Sequence, residues 1–411
     1  MTFELHIWGP AFGLPSIDAT CLAVVAYCRE CVPTGKWTLI PADPSRNPLG
    51  QLPALRDGNT WVAGFNDIVD YLEASSGGAS HLDKNLSSAE SADCAAYASF
   101  IQSRGQPLLD LSLYVSTENY TTCTKPALGA LLHWPDSWFV PHRLREKARK
   151  TSEHLGLSGL DVDSAQDEKQ EEGLAAQIPR SLRKPKTTVS SLLGHESRKS
   201  KFRLEAVTSD FLEPLNELLG EGPWLVSDNP SSVDCLAIGY LALMQNSGDG
   251  AQPWLRDALA KKFPGLAEWT QKTRREWFGE TVTPSMARQG QTDKHVLPWQ
   301  QLSDPSPQQI ANSLALNITE ALPVLKSYLT PTGVKTHIGY DEVPKHERKQ
   351  LSISRVRSSQ LLYSQALVSG MSAVILTSVL LYNGILRVPD LRRTPTPQRG
   401  FGTAGEFLGL R

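Results

Sequence analysis

One stretch constrains this chain more than any other. From residue 358 to residue 386 (SSQLLYSQALVSGMSAVILTSVLLYNGIL), 29 consecutive positions carry no Asp, Glu, Lys or Arg. Its more apolar part, residues 366–386, is 21 residues long. As a helix rising about 1.5 Å per residue it would span roughly 31 Å, against a hydrocarbon layer of about 30 Å. Buried helices of globular domains are usually shorter, so the length favours a single membrane crossing. Arg355 and Arg357 precede the segment, and Arg387, Arg392 and Arg393 follow it, which suits charges held at headgroup level. The expectation is a tail anchor over 358–386 with a basic tail over 387–411, the chemistry of the chain lying in front of it. Within the span Ala366, Gly370 and Ala373 recur at helical spacing and offer a possible partner contact. Small residues are also common in spans generally, so both readings stay open.

The rest of the chain is long enough for two compact domains at roughly 100 to 200 residues each. Its 41 Lys and Arg against 43 Asp and Glu leave a net charge of −2, which removes the electrostatic case for nucleic acid as a partner. Six scattered cysteines lack the dense spacing of a secreted disulfide framework and suit a reducing compartment. The opening residues MTFELHIWG contain an acid and no Lys or Arg, so neither export nor matrix import is expected from them.

The first 80 residues order as strand, turn, helix, strand, then a hairpin and a second helix. FELHIW alternates apolar and polar; GPAFGLP is a turn; Ser16 can cap a helix running to about Val32, with Ile17, Cys21, Val24, Val25 and Cys28 on one buried face. KWTLIP is a second strand, and ALRDGNTWVAG folds back about Asp57-Gly58-Asn59. This βαβ–ββα order predicts a thioredoxin-like domain over residues 1–80. Residues 81–150 and 201–280 are helical in pattern and form the second domain. Between them, 151–200 is rich in charge, Ser and Pro and predicts a disordered insertion. Residues 281–357 predict a polar juxtamembrane extension with an amphipathic helix over 312–329. Ser231 followed by Asp234, ahead of an apolar run, is an N-capping pair.

Chemistry is sparse. No phosphate loop, nucleophile elbow or zinc-protease motif occurs, and the nine His lack ligand spacing, so no metal and no cofactor are expected. Cys28-Arg29-Glu30-Cys31 spells CxxC, but it falls near the end of the first helix, where the dipole disfavours a thiolate. Trp134 and Trp138 lie in an aromatic, Pro-containing stretch, read either as core or interdomain packing or as a partner-docking patch, since Trp is enriched at contact hot spots.

Several blocks then carry a resemblance. LHIWGPAFGLPSID, NPLGQLPAL, NDIVDYLE, AAYASFIQ with LYVSTENY, SSVDCLAIGYLALM and FPGLAEWTQ occur in order over roughly residues 1–280. Together they resemble the metaxin family, and within it the fungal metaxin-like subunit of the mitochondrial sorting and assembly machinery. The resemblance implies an α+β, glutathione-transferase-like fold: a thioredoxin-like domain, then an all-helical one, then the anchor. In that pattern Pro53 takes the place of the cis-proline before the third strand, and Ser231 with Asp234 the place of a capping box that nucleates a core helix. A working transferase needs a hydroxyl or thiol after the first strand and an acidic–Ser pair before the Ile-x-x-Tyr-Leu helix. This chain has Phe12 and Gly64-Phe65 there, so no catalysis is expected; Ser16 or Tyr27 are the conceivable substitutes.

The moderately apolar anchor with basic flanks resembles those of the mitochondrial outer membrane, with the endoplasmic reticulum as runner-up and the bulk of the chain facing the cytosol. The implied role is to support insertion, folding and release of β-barrel precursors and their transfer from the general import translocase. The implied partners are an Omp85-class β-barrel subunit and a second peripheral metaxin-like subunit. The alternatives are a membrane-tethered glutathione-dependent transferase and an organelle-contact adaptor.

Overall fold

The computed structural model describes residues 2–155 and 189–300, apart from short gaps at 43, 45–46, 79, 247–252, 280 and 290–296. The segment 358–386 with Ala366, Gly370 and Ala373, the stretch 312–329 and the tail 387–411 lie outside these residues. Among the described residues no helix is long and apolar enough to cross a membrane.

Strand β1 (Phe3–Ile7) is the frame of the first domain, because Leu5 and Ile7 are fully buried while Phe3 and Glu4 stay partly exposed. β2 (Trp37–Pro41) pairs parallel to it with Phe3 opposite Trp37. β3 (Ala54–Asp57) pairs antiparallel on its other side with Leu5 opposite Leu55, and β4 (Thr60–Ala63) follows. The order is therefore β2-β1-β3-β4, a mixed sheet. A parallel neighbour requires a crossover, which α1 (Ala19–Cys31) supplies. The β3–β4 hairpin closes through Gly58 at φ 57°, and α2 (Phe65–Ser76) completes the unit.

Two details of α1 differ from the sequence reading. Asp18, not Ser16, caps it: the carboxylate accepts the Cys21 N–H at 2.8 Å, while the Ser16 hydroxyl accepts the Asp18 N–H at 3.2 Å. An ionised acceptor at a helix N-terminus is favoured over a hydroxyl two residues upstream. Nor has α1 a single buried face, since Ala19 and all residues from Cys21 to Cys28 are buried. The outer face is covered by α8 (Ser232–Asn246), itself buried from Val233 to Met244. Gly239 makes this possible: a Cβ there would lie 2.4 Å from the Ala19 carbonyl oxygen and 2.9 Å from the Ala23 nitrogen.

The helical domain opens at α3 (Ser88–Phe100) with a capping box, in which the Glu90 carboxylate accepts the Ser87 N–H at 2.7 Å and the Ser87 hydroxyl accepts the Glu90 N–H at 3.3 Å. Beyond it, π-helical turns at Ile101–Gly105, Leu111–Val115 and Tyr120–Thr124 interrupt the helix around α4 (Gln106–Asp110). Then come α5 (Lys125–Leu131), α6 (Asp136–Ser152), α7 (Val189–Leu219), α8, α9 (Trp254–Lys262), α10 (Pro264–Phe278) and α11 (Pro284–Gln289).

The expected disordered stretch 151–200 meets regular structure at both ends: α6 and a 3-10 turn run to Leu155, and α7 begins at Val189. Once residues 202–219 are anchored, a helix extends upstream without a new nucleation cost, so charge-rich composition alone misplaced that boundary. Residues 156–188 lie outside the described ones.

A second correction concerns residues 281–300, expected as the start of a polar extension. The described ones among them, 281–289 and 297–300, are part of the body. Val282, Ala287, Leu297 and Trp299 are buried, the Val282 N–H donates to the Gly13 carbonyl at 3.1 Å, and residues 297–300 run parallel to β2. There the Leu39 N–H donates to the Pro298 carbonyl at 2.8 Å and the Gln300 N–H to the Leu39 carbonyl at 3.0 Å. These four apolar side chains are too widely spaced to show any period, which is why the sequence pattern hides the docking.

Candidate functional site

The turn after β1 is where a transferase of this fold would hold its thiolate-stabilising group. Ala11 and Leu14 exchange both backbone hydrogen bonds, at 3.1 and 2.8 Å, around Phe12 (φ 55°) and Gly13 (φ 74°). Two successive positive φ values make this a tight I′-type turn, and its first central residue offers no hydroxyl or thiol. Side chains from later in the chain approach it closely. A methyl at Gly9 would meet the Leu131 side chain at 2.7 Å, and one at Gly13 would meet the Thr281 methyl at 3.0 Å.

The conceivable substitutes are engaged elsewhere. Ser16 is fully buried and bonded to the Asp18 N–H, and the Tyr27 hydroxyl, also buried, donates to the Ser80 carbonyl at 2.9 Å. Burial pushes the Tyr27 phenol well above its ordinary range, so it supplies no phenolate. At the second expected handle the Leu52–Pro53 bond is cis, and the Pro53 carbonyl accepts the Gly64 N–H at 3.0 Å. Gly64 begins α2 with no side-chain cap, and Phe65 after it is buried, so no carboxylate and hydroxyl face a ligand there.

The CxxC pair closes α1 at its C-terminal end. Cys28 is buried and Cys31 half-buried, and both are free thiols. Burial pushes the Cys31 thiol up to about 12 and that of Cys28 higher, with the Cys31 charge adding to the second shift. Reactive thiols need the opposite perturbation. Among the described residues no three His, Cys, Asp or Glu are grouped to hold a metal ion.

Ser231 and Asp234 do meet. The Asp234 carboxylate accepts the Ser231 N–H at 2.9 Å and its hydroxyl at 2.6 Å, and also the Leu225 N–H at 2.8 Å. Burial raises its pKa, while these donors lower it. The neighbouring Ser232 donates its N–H to Asp83 at 2.8 Å and its hydroxyl to the same carboxylate, tying the turn at Leu82–Asn85, just after the first domain, to the start of α8 across 149 residues. Sequence reasoning found the cap but not this tether, which no local pattern announces. It also missed Asp110, a buried carboxylate among the π-helical turns that burial pushes up to about 6, despite the hydrogen bond it accepts from Gln106 at 2.9 Å.

Trp134 and Trp138 are on the surface, 55% and 71% exposed, so the packing alternative for them is not what the fold adopts. They sit at the corner where α5 turns into α6. The Trp134–Pro135 bond is cis, the Ser137 N–H donates to the His133 carbonyl and the Trp138 N–H to the Pro135 carbonyl, both at 3.0 Å. Arg145 fixes the corner from below, its guanidinium 4.5 Å from the centre of the Tyr120 ring and 2.9 Å from the Thr117 hydroxyl.

With this geometry in place, comparison with known proteins is informative. A family model described as "Outer mitochondrial membrane transport complex protein" matches residues 21–145, and one described as "Glutathione S-transferase, C-terminal domain" matches residues 208–273. Metaxin-1 of Macaca fascicularis is 27% identical over 59% of this chain and 65% of its own length; human Metaxin-1 is 27% identical over 59% of this chain and 44% of its own. The Metaxin-1 homolog of Caenorhabditis briggsae is 30% identical over 58% and 63%. Over these regions the chain is similar to the metaxins.

The matches thus span less than two thirds of these metaxins' own lengths. Among solved structures, a glutathione S-transferase from Rhodospirillum rubrum covers 69% of this chain and 94% of its own at 14% identity with a TM-score of 0.37. In this chain the glutathione-transferase-like character rests on the mixed β2-β1-β3-β4 sheet and on the helical region matched at 208–273.

Proposed function

We propose that this chain is a non-enzymatic subunit of the mitochondrial outer-membrane sorting and assembly machinery, supporting insertion, folding and release of β-barrel precursors. The single observation that carries the non-enzymatic part is the turn after β1, where Phe12 stands in place of a nucleophile-stabilising group. The match of residues 21–145 to an outer-membrane transport complex family supports the location. In this reading residues 358–386 anchor the chain with its body toward the cytosol, and Ala366, Gly370 and Ala373 contact a neighbouring helix. An Omp85-class barrel and a second metaxin-like chain are its stable partners, and the import translocase delivers its precursors. Such a role needs rigid surfaces rather than a reactive centre, which a body whose two domains pack closely at Gly239 provides.

The test is affinity purification of the tagged full chain from mildly solubilised mitochondrial membranes. Co-purification of an Omp85-class barrel and a second metaxin-like chain is the expected result. Recovery of the chain without them, together with glutathione conjugation by the purified protein, would overturn the proposal in favour of an enzyme.

A further inference from the structure

We propose that the corner joining α5 to α6 rests on the surface of an anionic phospholipid bilayer, with Trp134, Trp138 and Phe139 at the boundary between headgroups and acyl chains. This goes beyond the protein partners proposed above and does not depend on the anchor.

Among the described residues four large hydrophobic side chains stand exposed, and three of them, Trp134, Trp138 and Phe139, share this corner. Tryptophan combines an apolar ring with an N–H that needs a polar partner, and the bilayer interface satisfies both. The side chains behind them change character along the exposed face of α6. Arg143 follows just over one turn after Trp138, then Lys147 at roughly 13 Å along the axis. Aromatic groups at the tip and cations set back from it match the depth order of a bilayer surface, where an apolar face sinks roughly 5–10 Å and cations meet the phosphates.

The sign of the charge narrows the partner. Residues 121–145 contain a single carboxylate, Asp136, and it is buried. The next acid, Glu146, is exposed but ion-paired with Lys150 at 3.1 Å. A protein partner would be recognised by local complementarity, usually with both signs at the rim. An exposed face with cations and aromatics and no free carboxylate instead suits a surface that is uniformly negative.

The experiment uses the full chain with a photoreactive benzoylphenylalanine replacing either Trp138 or, as a control, Ala96, an exposed residue on α3. Each version is mixed with vesicles of phosphatidylcholine alone or of phosphatidylcholine with phosphatidylserine, and is also irradiated in native membranes. Flotation is read separately, so an anchor that holds the chain on vesicles is not mistaken for contact at the corner. Lipid adducts are expected at position 138 and not at 96, with a yield about tenfold higher on the anionic vesicles. The double change Arg143→Glu with Lys147→Glu should lower that yield about tenfold while leaving flotation through an anchor unchanged. Equal yields at 138 and 96, adducts within the chain itself, or adducts mainly to another polypeptide in native membranes would each overturn the proposal, the last in favour of a protein-docking patch.

Discussion

The molecule uses tryptophan in two opposite ways. Trp224 stacks on Trp277 at 5.4 Å and meets Trp269 edge-on at 6.3 Å; Trp277 is 1% exposed, and the Trp269 N–H donates to the Pro223 carbonyl at 2.9 Å. Trp134 and Trp138 carry the same side chain at a surface corner where no such packing covers them. The first group holds helices together, whereas removing the second would cost the fold little. Identical residues are therefore packed against one another in one place and left on the surface in the other, and only their surroundings distinguish them.

That contrast can be broken from the interior first. Gly239→Val should be the most damaging change, because its Cβ would press on the Ala19 carbonyl and the Ala23 nitrogen, backbone atoms that cannot move aside. A loss of about 3 kcal/mol or more, seen in urea unfolding of the full chain, is expected. Gly129→Ala, at a helical position with nothing within 4 Å, should be neutral or slightly stabilising in the same assay. Trp277→Ala should cost about 3–5 kcal/mol.

A pH experiment sharpens the comparison at an intermediate scale. Burial raises the Asp110 carboxyl from 3.8 to about 6, so between these values the folded chain binds more protons than the unfolded one. Stability contributed by the protonated acid is therefore present at low pH and declines as pH rises through that window, by about 3 kcal/mol. Asp110→Asn should flatten this decline, and an unchanged pH profile would refute the assignment. Ser87→Ala should remove half of the capping box of α3 at a cost of about 1 kcal/mol. Smallest of all, Trp138→Ser should shift unfolding by less than about 0.5 kcal/mol.

What could be read in the sequence follows the same division between local and distant causes. The βαβ–ββα order, the Gly58 hairpin and the Ser231–Asp234 cap depend on neighbours a few residues apart, and period and turn chemistry reveal them. The Asp83–Ser232 tether and the docking of residues 297–300 along β2 join partners far apart in the chain and leave no periodic trace. The residues point to Ser16 as the cap of α1 because two competent acceptors stand two residues apart, and only the backbone direction at Asp18 selects between them. The exposure of Trp134 and Trp138 likewise follows from how α6 is pinned by Arg145, a contact to Tyr120 and Thr117 from an earlier turn. For the catalytic question, the absence of a hydroxyl at position 12 is plain from the residues, whereas the approach of Leu131 to Gly9 and of Thr281 to Gly13 requires the fold.

The short strand at 297–300 has a mechanical meaning. Tension arriving through the residues beyond Gln300 would reach the body at the outer edge of the sheet, as a pull on the two backbone hydrogen bonds that clasp Leu39. The clasp would yield before the α1–α8 packing felt any load, leaving the two domains seated together while the chain behind them is tugged.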